Sequence, residues 1–183
     1  MNMEQVAVIY GNRISEDSII QPLVMLGEYY NGAFVCIESN SMGKHTCVEM
    51  GKRYPVERLY HRDDHDKTKT RMSREIGWRT TFSNKSIMIG SLSAAMTQNQ
   101  IVLRCKETVK ECRTYVNLRG GGTGADAGFH DDHVIALALA VMAAKSYPTR
   151  LESFSTSMPN RNLMSWSKMR RRDEAGRCSQ TGY

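Results

Sequence analysis

Several familiar signatures are missing from this 183-residue chain. Its five cysteines, Cys36, Cys47, Cys105, Cys112 and Cys178, are odd in number, form no Cys-x-x-Cys pair and stand at no zinc-like spacing from histidine. That excludes a common structural zinc site and a disulfide-stapled secreted scaffold, and the thiols read as reduced. No signal peptide is recognisable. The longest apolar run, Val134 to Ala144, is too short to cross a bilayer. The sequence therefore predicts an intracellular protein of one ordinary domain, large enough to bury a core.

What is present in excess is positive charge. The formal charge is +6 and the sequence pI is near 9.1. Basic residues cluster between Lys67 and Arg79 and again between Arg161 and Arg177, which favours a polyanionic partner over a purely solvated basic surface.

Against that background, Gly128-Phe129-His130-Asp131-Asp132-His133 stands out, because two adjacent carboxylates open an otherwise apolar run, Val134-Ile135-Ala136-Leu137-Ala138-Leu139-Ala140. The run reads as a buried helix whose alanines allow close packing. The glycine-rich approach, Gly120 to Gly128, reads as an irregular loop. Either acid could simply cap the helix N-terminus. A second acid, Glu38, ends the apolar run Ala33-Phe34-Val35-Cys36-Ile37, which reads as a buried central strand. Ligands gather at the C-terminal edge of strands in open α/β sheets. Glu38 with Asp131 and Asp132 thus suggests a shared carboxylate site for a hard divalent cation, Mg²⁺ or Mn²⁺; an exposed loop acid is the plain alternative for Glu38.

The rest of the chain reads in α/β order. Gln5 to Tyr10 is a strand, and Ser15 caps a helix through Ile19, Leu23 and Leu26 that Pro22 kinks. Ser41 to Lys52 is a second helix. His61 to Thr70 is a polar loop or hairpin tip; His61, Asp63, His65 and Asp66 read as solvated there, not as a metal cluster. Ser83 opens a helix from Lys85 to Met96, and Trp78 and Phe82 read as core. Ile101 to Cys105 and Cys112 to Val116 are strand-like pieces about a turn at Lys106 to Glu111; Glu107 or Glu111 could approach the acidic site, and an ion pair with Lys106 or Lys110 is the default reading. Beyond Pro148 apolar periodicity fades, which predicts a mobile basic tail over 149–183.

Three stretches carry a resemblance: Asn31 to Gly43 around Glu38, Gly77-Trp78-Arg79-Thr80-Thr81 with Lys85, and Gly128 to Ala136. In this order the chain resembles, from about Gln5 to Ala144, the C-terminal nuclease domain of tailed-phage terminase large subunits. The resemblance implies a ribonuclease H-like α/β fold over 1–148, a mixed sheet flanked by helices. It also implies two Mg²⁺ or Mn²⁺ ions and cleavage of double-stranded DNA during genome packaging in the cytoplasm of the infected bacterial host. It makes Glu38 and Asp131 with Asp132 the metal ligands. His130 would orient a carboxylate or the attacking water, or else satisfy backbone groups. Arg79 and Lys85 would contact phosphate, or else remain solvated charges. Partners implied are a packaging ATPase domain or separate motor chain, the portal protein and the small terminase subunit. The family's first acid, on a strand upstream of Val6, has no counterpart, and no Gly-Lys-Thr or Gly-Lys-Ser phosphate loop is present. The expectation is a truncated or split product whose missing part comes from elsewhere. A catalytically incomplete DNA-binding or assembly fragment, or another ribonuclease H-like nuclease such as a resolvase, is the alternative.

Overall fold

Ser15 and Thr81 open the two helices whose starts are best defined by side chains. Ser15 accepts a hydrogen bond from the Ser18 N–H, and Thr81 forms a reciprocal capping box with Asn84, satisfying donors that a helix N-terminus leaves free. The computed structural model describes residues 3–147 apart from 12, 42 and 65–72. In chain order these form β1 (Met3–Glu4), α1 (Glu16–Tyr29), α2 (Gly43–Arg53), a 3₁₀ turn (Val56–Arg58), β2 (His61–Asp64), β3 (Ser73–Ile76) and α3 (Phe82–Thr97). There follow β4 (Ile101–Val102), α4 (Lys106–Arg113), β5 (Tyr115–Asn117), β6 (Thr123–Ala125) and α5 (Asp132–Ser146).

The segment from Ala33 to Ser39 positions everything else. Its side chains alternate between two cores, as an extended chain dictates. Val35 and Ile37 pack on Ile20, Val24, Met50, Tyr54 and Leu59 of the α1/α2 side. Cys36 joins the opposite cluster, where Met88 and Leu92 of α3 meet Val134, Ala138 and Val141 of α5. Ala138 and Met88 are fully buried, so the small side chain does let α5 approach closely.

Backbone pairing runs along one edge of this segment. The Val35 N–H donates to the Arg58 carbonyl and the Tyr60 N–H to the Val35 carbonyl, both at 2.8 Å. Further on, the Trp78 N–H donates to the Ile37 carbonyl and the Ser39 N–H to the Trp78 carbonyl, both at 2.7 Å. The neighbour therefore changes midway from Arg58–Tyr60 to Gly77–Trp78, because the β2–β3 hairpin departs between them. This leaves two isolated parallel bridges, Val35 with Leu59 and Glu38 with Trp78, instead of the uninterrupted central strand expected. In place of one mixed sheet, the described residues hold three two-stranded ladders: β1–β4 parallel, β2–β3 antiparallel and β5–β6 antiparallel.

Gly77 makes the change of neighbour possible. Its φ is +98°, and a Cβ there would stand 2.6 Å from the Cys47 Sγ and 2.9 Å from the Ile37 carbonyl oxygen. Arg62, at the hairpin base, donates to the Ser39 hydroxyl at 2.8 Å and pairs with Glu75, which ties the hairpin to the segment's end.

Several expectations are corrected. The Gln5–Tyr10 strand is confined to Met3–Glu4, extended by the Gln5 N–H to the Val102 carbonyl; among the described residues Val6 to Tyr10 joins no ladder. α3 starts at Phe82, not Ser83 or Lys85, because Thr81 supplies the cap. Phe82 is 79% exposed and is not core; it sits on the first turn of α3, facing away from Met88 and Leu92. The turn at Lys106–Glu111 is helix α4, eight residues long, with Thr108 as its buried residue. Part of the glycine-rich approach is the β5–β6 hairpin, whose tip uses positive φ at Gly121 and Gly122. The hairpin reading of His61 to Thr70 holds for its first arm; 65–70 and the tail over 149–183 lie outside the described residues.

Gly77→Ala is expected to cost roughly 2–3 kcal/mol from backbone strain and the close contacts. Thr81→Ala should cost about 1 kcal/mol through the lost cap, and Phe82→Ala should stay within roughly 0.5 kcal/mol. Urea unfolding of the three variants checks this order, and a large loss for Phe82→Ala would show that its ring is buried after all.

Candidate functional site

Alternation along the Ala33–Ser39 segment turns Glu38 toward the same side as Cys36, the side covered by α3 and α5. There a cavity of about 440 Å³ is lined by Glu38, Thr80, Lys85, Asp131 and Asp132 together with Cys36, Ile135 and Leu139. Glu38 and the adjacent pair Asp131 and Asp132, more than ninety positions apart in sequence, thus line one cavity. Lys85, from the first turns of α3, joins them.

Each is held by identifiable contacts. Asn40 donates through Nδ2 both to the Glu38 carboxylate at 3.2 Å and to the Thr80 carbonyl at 3.1 Å, which fixes the segment's end against the loop before α3. The Lys85 Nζ lies 3.5 Å from Asp131 Oδ2 and over the Tyr115 ring at 5.9 Å. Both partners of this ion pair are about one third exposed, with side-chain accessibilities of 29% and 30%, so the pair is screened by solvent and worth little by itself.

The simple capping role is not the one Asp131 plays. It occupies the position before α5, yet its side chain accepts no hydrogen bond from the helix. That service comes from α4, where Glu111 Oε2 accepts the His133 N–H at 2.8 Å. The His133 ring, largely buried, contacts the Thr108 hydroxyl at 3.0 Å through Nδ1 and the Tyr10 ring at a centroid distance of 4.9 Å. Thr108 in turn accepts from Gln5 Nε2 at 3.0 Å, and Gln5 Oε1 accepts the Arg104 and Cys105 N–H groups. Asp131 is therefore not engaged in capping, and it lines the cavity together with Asp132. The sequence leaves Glu111 between the acidic site and a lysine pair and does not show this capping role; an acid on a polar helix carries no sign of which distant N-terminus it serves.

Two expected residues stand apart. His130 and Arg79 are exposed and do not line the cavity, although both are adjacent to residues that do or to the loop that forms its wall. Among the described residues no group of three or more His, Cys, Asp or Glu side chains is gathered closely enough to hold a metal ion. The donor chemistry nonetheless suits a hard cation: three carboxylates, and the Thr80 Oγ1, which is buried without a hydrogen-bond partner in the cavity wall. The nearby thiols suit no such role. Burial, with a smaller contribution from Cys47, pushes Cys36 up to about 12, and burial raises Cys47 and Cys112 as well. These groups stay protonated at neutral pH and are poor nucleophiles.

Glu111→Ala should destabilise by about 1 kcal/mol through loss of the α5 cap, while Glu111→Gln, which keeps an acceptor oxygen, should retain most of it. Equal losses in thermal or urea unfolding would remove the capping argument. Cys36 should resist iodoacetamide at pH 8 in the native protein and react once urea unfolds the chain; rapid native labelling would contradict its burial.

No protein-family model matches the sequence, and no curated protein matches it. Among solved structures, the crystal structure of the large terminase nuclease from thermophilic phage G20c with bound cobalt matches with a TM-score of 0.53 at 22% identity. The match covers 72% of this chain and 64% of that one, so the chain spans under two thirds of its length. Over the matched part, the α/β fold of the described residues, five helices among them, is that of this nuclease.

Proposed function

We propose that this chain is a divalent-metal-dependent endonuclease domain of ribonuclease H-like fold, acting on double-stranded DNA during phage genome packaging. The observation that carries the reading is the convergence of Glu38, Asp131 and Asp132 with Lys85 on one cavity, in a chain of net charge +6 whose fold is that of a terminase nuclease solved with cobalt. A DNA backbone needs cations to approach it and carboxylates to hold metal against it.

Glu38, Asp131 and Asp132 would hold Mg²⁺ or Mn²⁺, two ions in a complete site. The metal supplies Lewis-acid polarisation of a phosphoryl oxygen and a water acidified for attack. Lys85 leaves its weak pairing with Asp131 once that carboxylate is engaged, and its ammonium then neutralises a phosphate oxygen. Asn40 keeps Glu38 oriented through its bond to the Thr80 carbonyl. His130, outside the cavity lining, would reach the site only with movement of the loop before α5; its role there is to orient a carboxylate or the attacking water. Arg79, on the exposed loop before α3, would contact a neighbouring phosphate. The partners would be DNA, a packaging ATPase domain or chain, the portal and the small terminase subunit, in the cytoplasm of the bacterial host.

A second reading is favoured by one observation: the described acids are not gathered tightly enough to hold a metal unaided. On that reading the chain is a DNA-binding or assembly module that cuts only when completed. Plasmid nicking and linearisation with Mn²⁺ and then Mg²⁺ separates the two. The nuclease reading expects cleavage by the parent and a loss of at least 100-fold in Glu38→Ala and in Asp132→Ala. Salt-sensitive DNA binding without cleavage by the parent would favour the second.

A further inference from the structure

The carboxylate cavity is a poor place to gather a polyanion. Its described lining sets three acids, Glu38, Asp131 and Asp132, against one cation, Lys85, which is already paired with Asp131. Carboxylates repel a phosphate backbone, so the charge that gathers DNA has to lie elsewhere.

One such place is α4. A groove of about 480 Å³ runs beside this helix, rimmed by Arg104, Lys106, Lys110 and Arg113, and no acid among the described residues lines it. Lys106, Val109, Lys110 and Arg113 follow one another at i, i+3, i+4 and i+7, so a single stripe of the helix carries them. Glu107 and Glu111 lie off that stripe and are otherwise engaged: Glu111 accepts the His133 N–H at 2.8 Å, and Glu107 accepts from the Cys105 thiol at 3.2 Å. The Glu107 carboxyl is held below its ordinary range chiefly by that thiol, with Lys106 a minor contributor. All four cations are exposed. Arg104 pairs with Glu4 at 2.7 Å, a solvent-screened contact between exposed side chains. Lys110 and Arg113 form no ion pair among the described residues. Lysines one turn apart repel each other and oppose the helix, a cost that a bound anion removes.

The floor of the groove is apolar, with Leu103, Cys105 and Val109 half-buried in it. An uncharged floor under a cationic rim suits a strand of alternating sugar and phosphate better than a lone anion. From Lys106 to Arg113 the stripe runs about 10 Å at a helical rise of about 1.5 Å per residue, room for about three phosphates at about 3.4 Å of duplex axis each. The groove is linked to the carboxylate cavity through the chain itself. Thr114 lines the groove, and the ring of the next residue, Tyr115, lies 5.9 Å from the Nζ of Lys85, which lines the cavity.

We propose that the α4 groove is a second DNA contact, holding consecutive phosphates of one strand while the duplex extends to the carboxylate cavity. Its cations belong to neither basic cluster that stands out in the sequence, Lys67 to Arg79 or Arg161 to Arg177. The proposal rests on the nuclease reading for the identity of the occupant and on the groove for its place.

The test measures binding of a short fluorescent duplex to the full chain by anisotropy, in EDTA, over a potassium chloride series. Lys110→Gln with Arg113→Gln is compared with Lys44→Gln with Lys145→Gln, which removes equal charge from exposed positions on α2 and α5. The groove pair should lose at least about five-fold in affinity at about 0.1 M salt and flatten the log–log salt slope by about 2, as for two phosphate contacts, whereas the distant pair should lose less than about two-fold. Exchanging the cations, Lys110→Arg with Arg113→Lys, should keep the parent's affinity. If circular dichroism shows the groove pair unfolded, Lys106→Gln and Lys110→Gln singly carry the test, each flattening the slope by about 1. Equal losses in the two charge-matched pairs overturn the proposal, because net charge alone then sets affinity. An unchanged groove pair, in a parent that binds and cuts, overturns it and leaves the nuclease reading standing. A weakened groove pair, in a parent that binds but never cuts with Mn²⁺, supports the groove and ends the nuclease reading. Poly-glutamate is the competing probe: a parent that binds it through Lys110 and Arg113 and ignores the duplex takes an acidic protein segment there, which overturns the DNA contact.

Discussion

Seven residues, Ala33 to Ser39, divide the described part of the molecule into two cores. The governing constraint is the alternation of an extended chain: side chains go to opposite faces, backbone groups to opposite edges. Val35 and Ile37 belong to the α1/α2 side, and Cys36 and Glu38 to the α3/α5 side. A shift of one residue in this segment would bury Glu38 against Met50 and Leu59 and turn Val35 and Ile37 toward the acidic cavity. The register is held by the two parallel bridges, by Gly77 at the point where the neighbouring chain changes, and by Asn40 bonding both Glu38 and the Thr80 carbonyl.

The second constraint is the relief of Asp131 from capping. An acid at a helix entrance is ordinarily satisfied by the helix it opens. Here α4 supplies Glu111 for that purpose, and the network from Glu111 and His133 through Thr108 to Gln5 joins α4, α5 and the start of the chain. Asp131 is left to a weak, solvent-screened pairing with Lys85. A carboxylate so lightly engaged can exchange its partner at little cost.

Much of this was legible from sequence because it depends on local pattern. The helix over Asp132–Ser146 follows from an unbroken apolar run with small residues, and the α1 start follows from Ser15 ahead of Glu16 and Asp17. A strand-end acid and a helix-entry pair suggest a shared site for Glu38, Asp131 and Asp132; the three line one cavity but are not gathered as a metal-holding group among the described residues. What escaped depends on distant partners. Val6 to Tyr10 has strand composition but pairs with no segment among the described residues. α4 is short and has one strongly apolar residue, Val109, in eight, so no apolar run announces it, and Thr108 is buried by its place in the fold and not by hydrophobicity. Phe82 reads as core by residue type, and only the position of the Thr81 cap decides that its ring faces outward.

The division into two cores also shapes how the protein tolerates change. Ile20, Met50 and Leu59 share no buried cluster with Met88, Ala138 and Val141, so substitutions on the two sides draw on separate neighbours and their effects should simply add. Ala33 to Ser39 is where that independence ends. Any residue there answers to both halves at once, and drift in the packing of either half must pass through it before reaching the other.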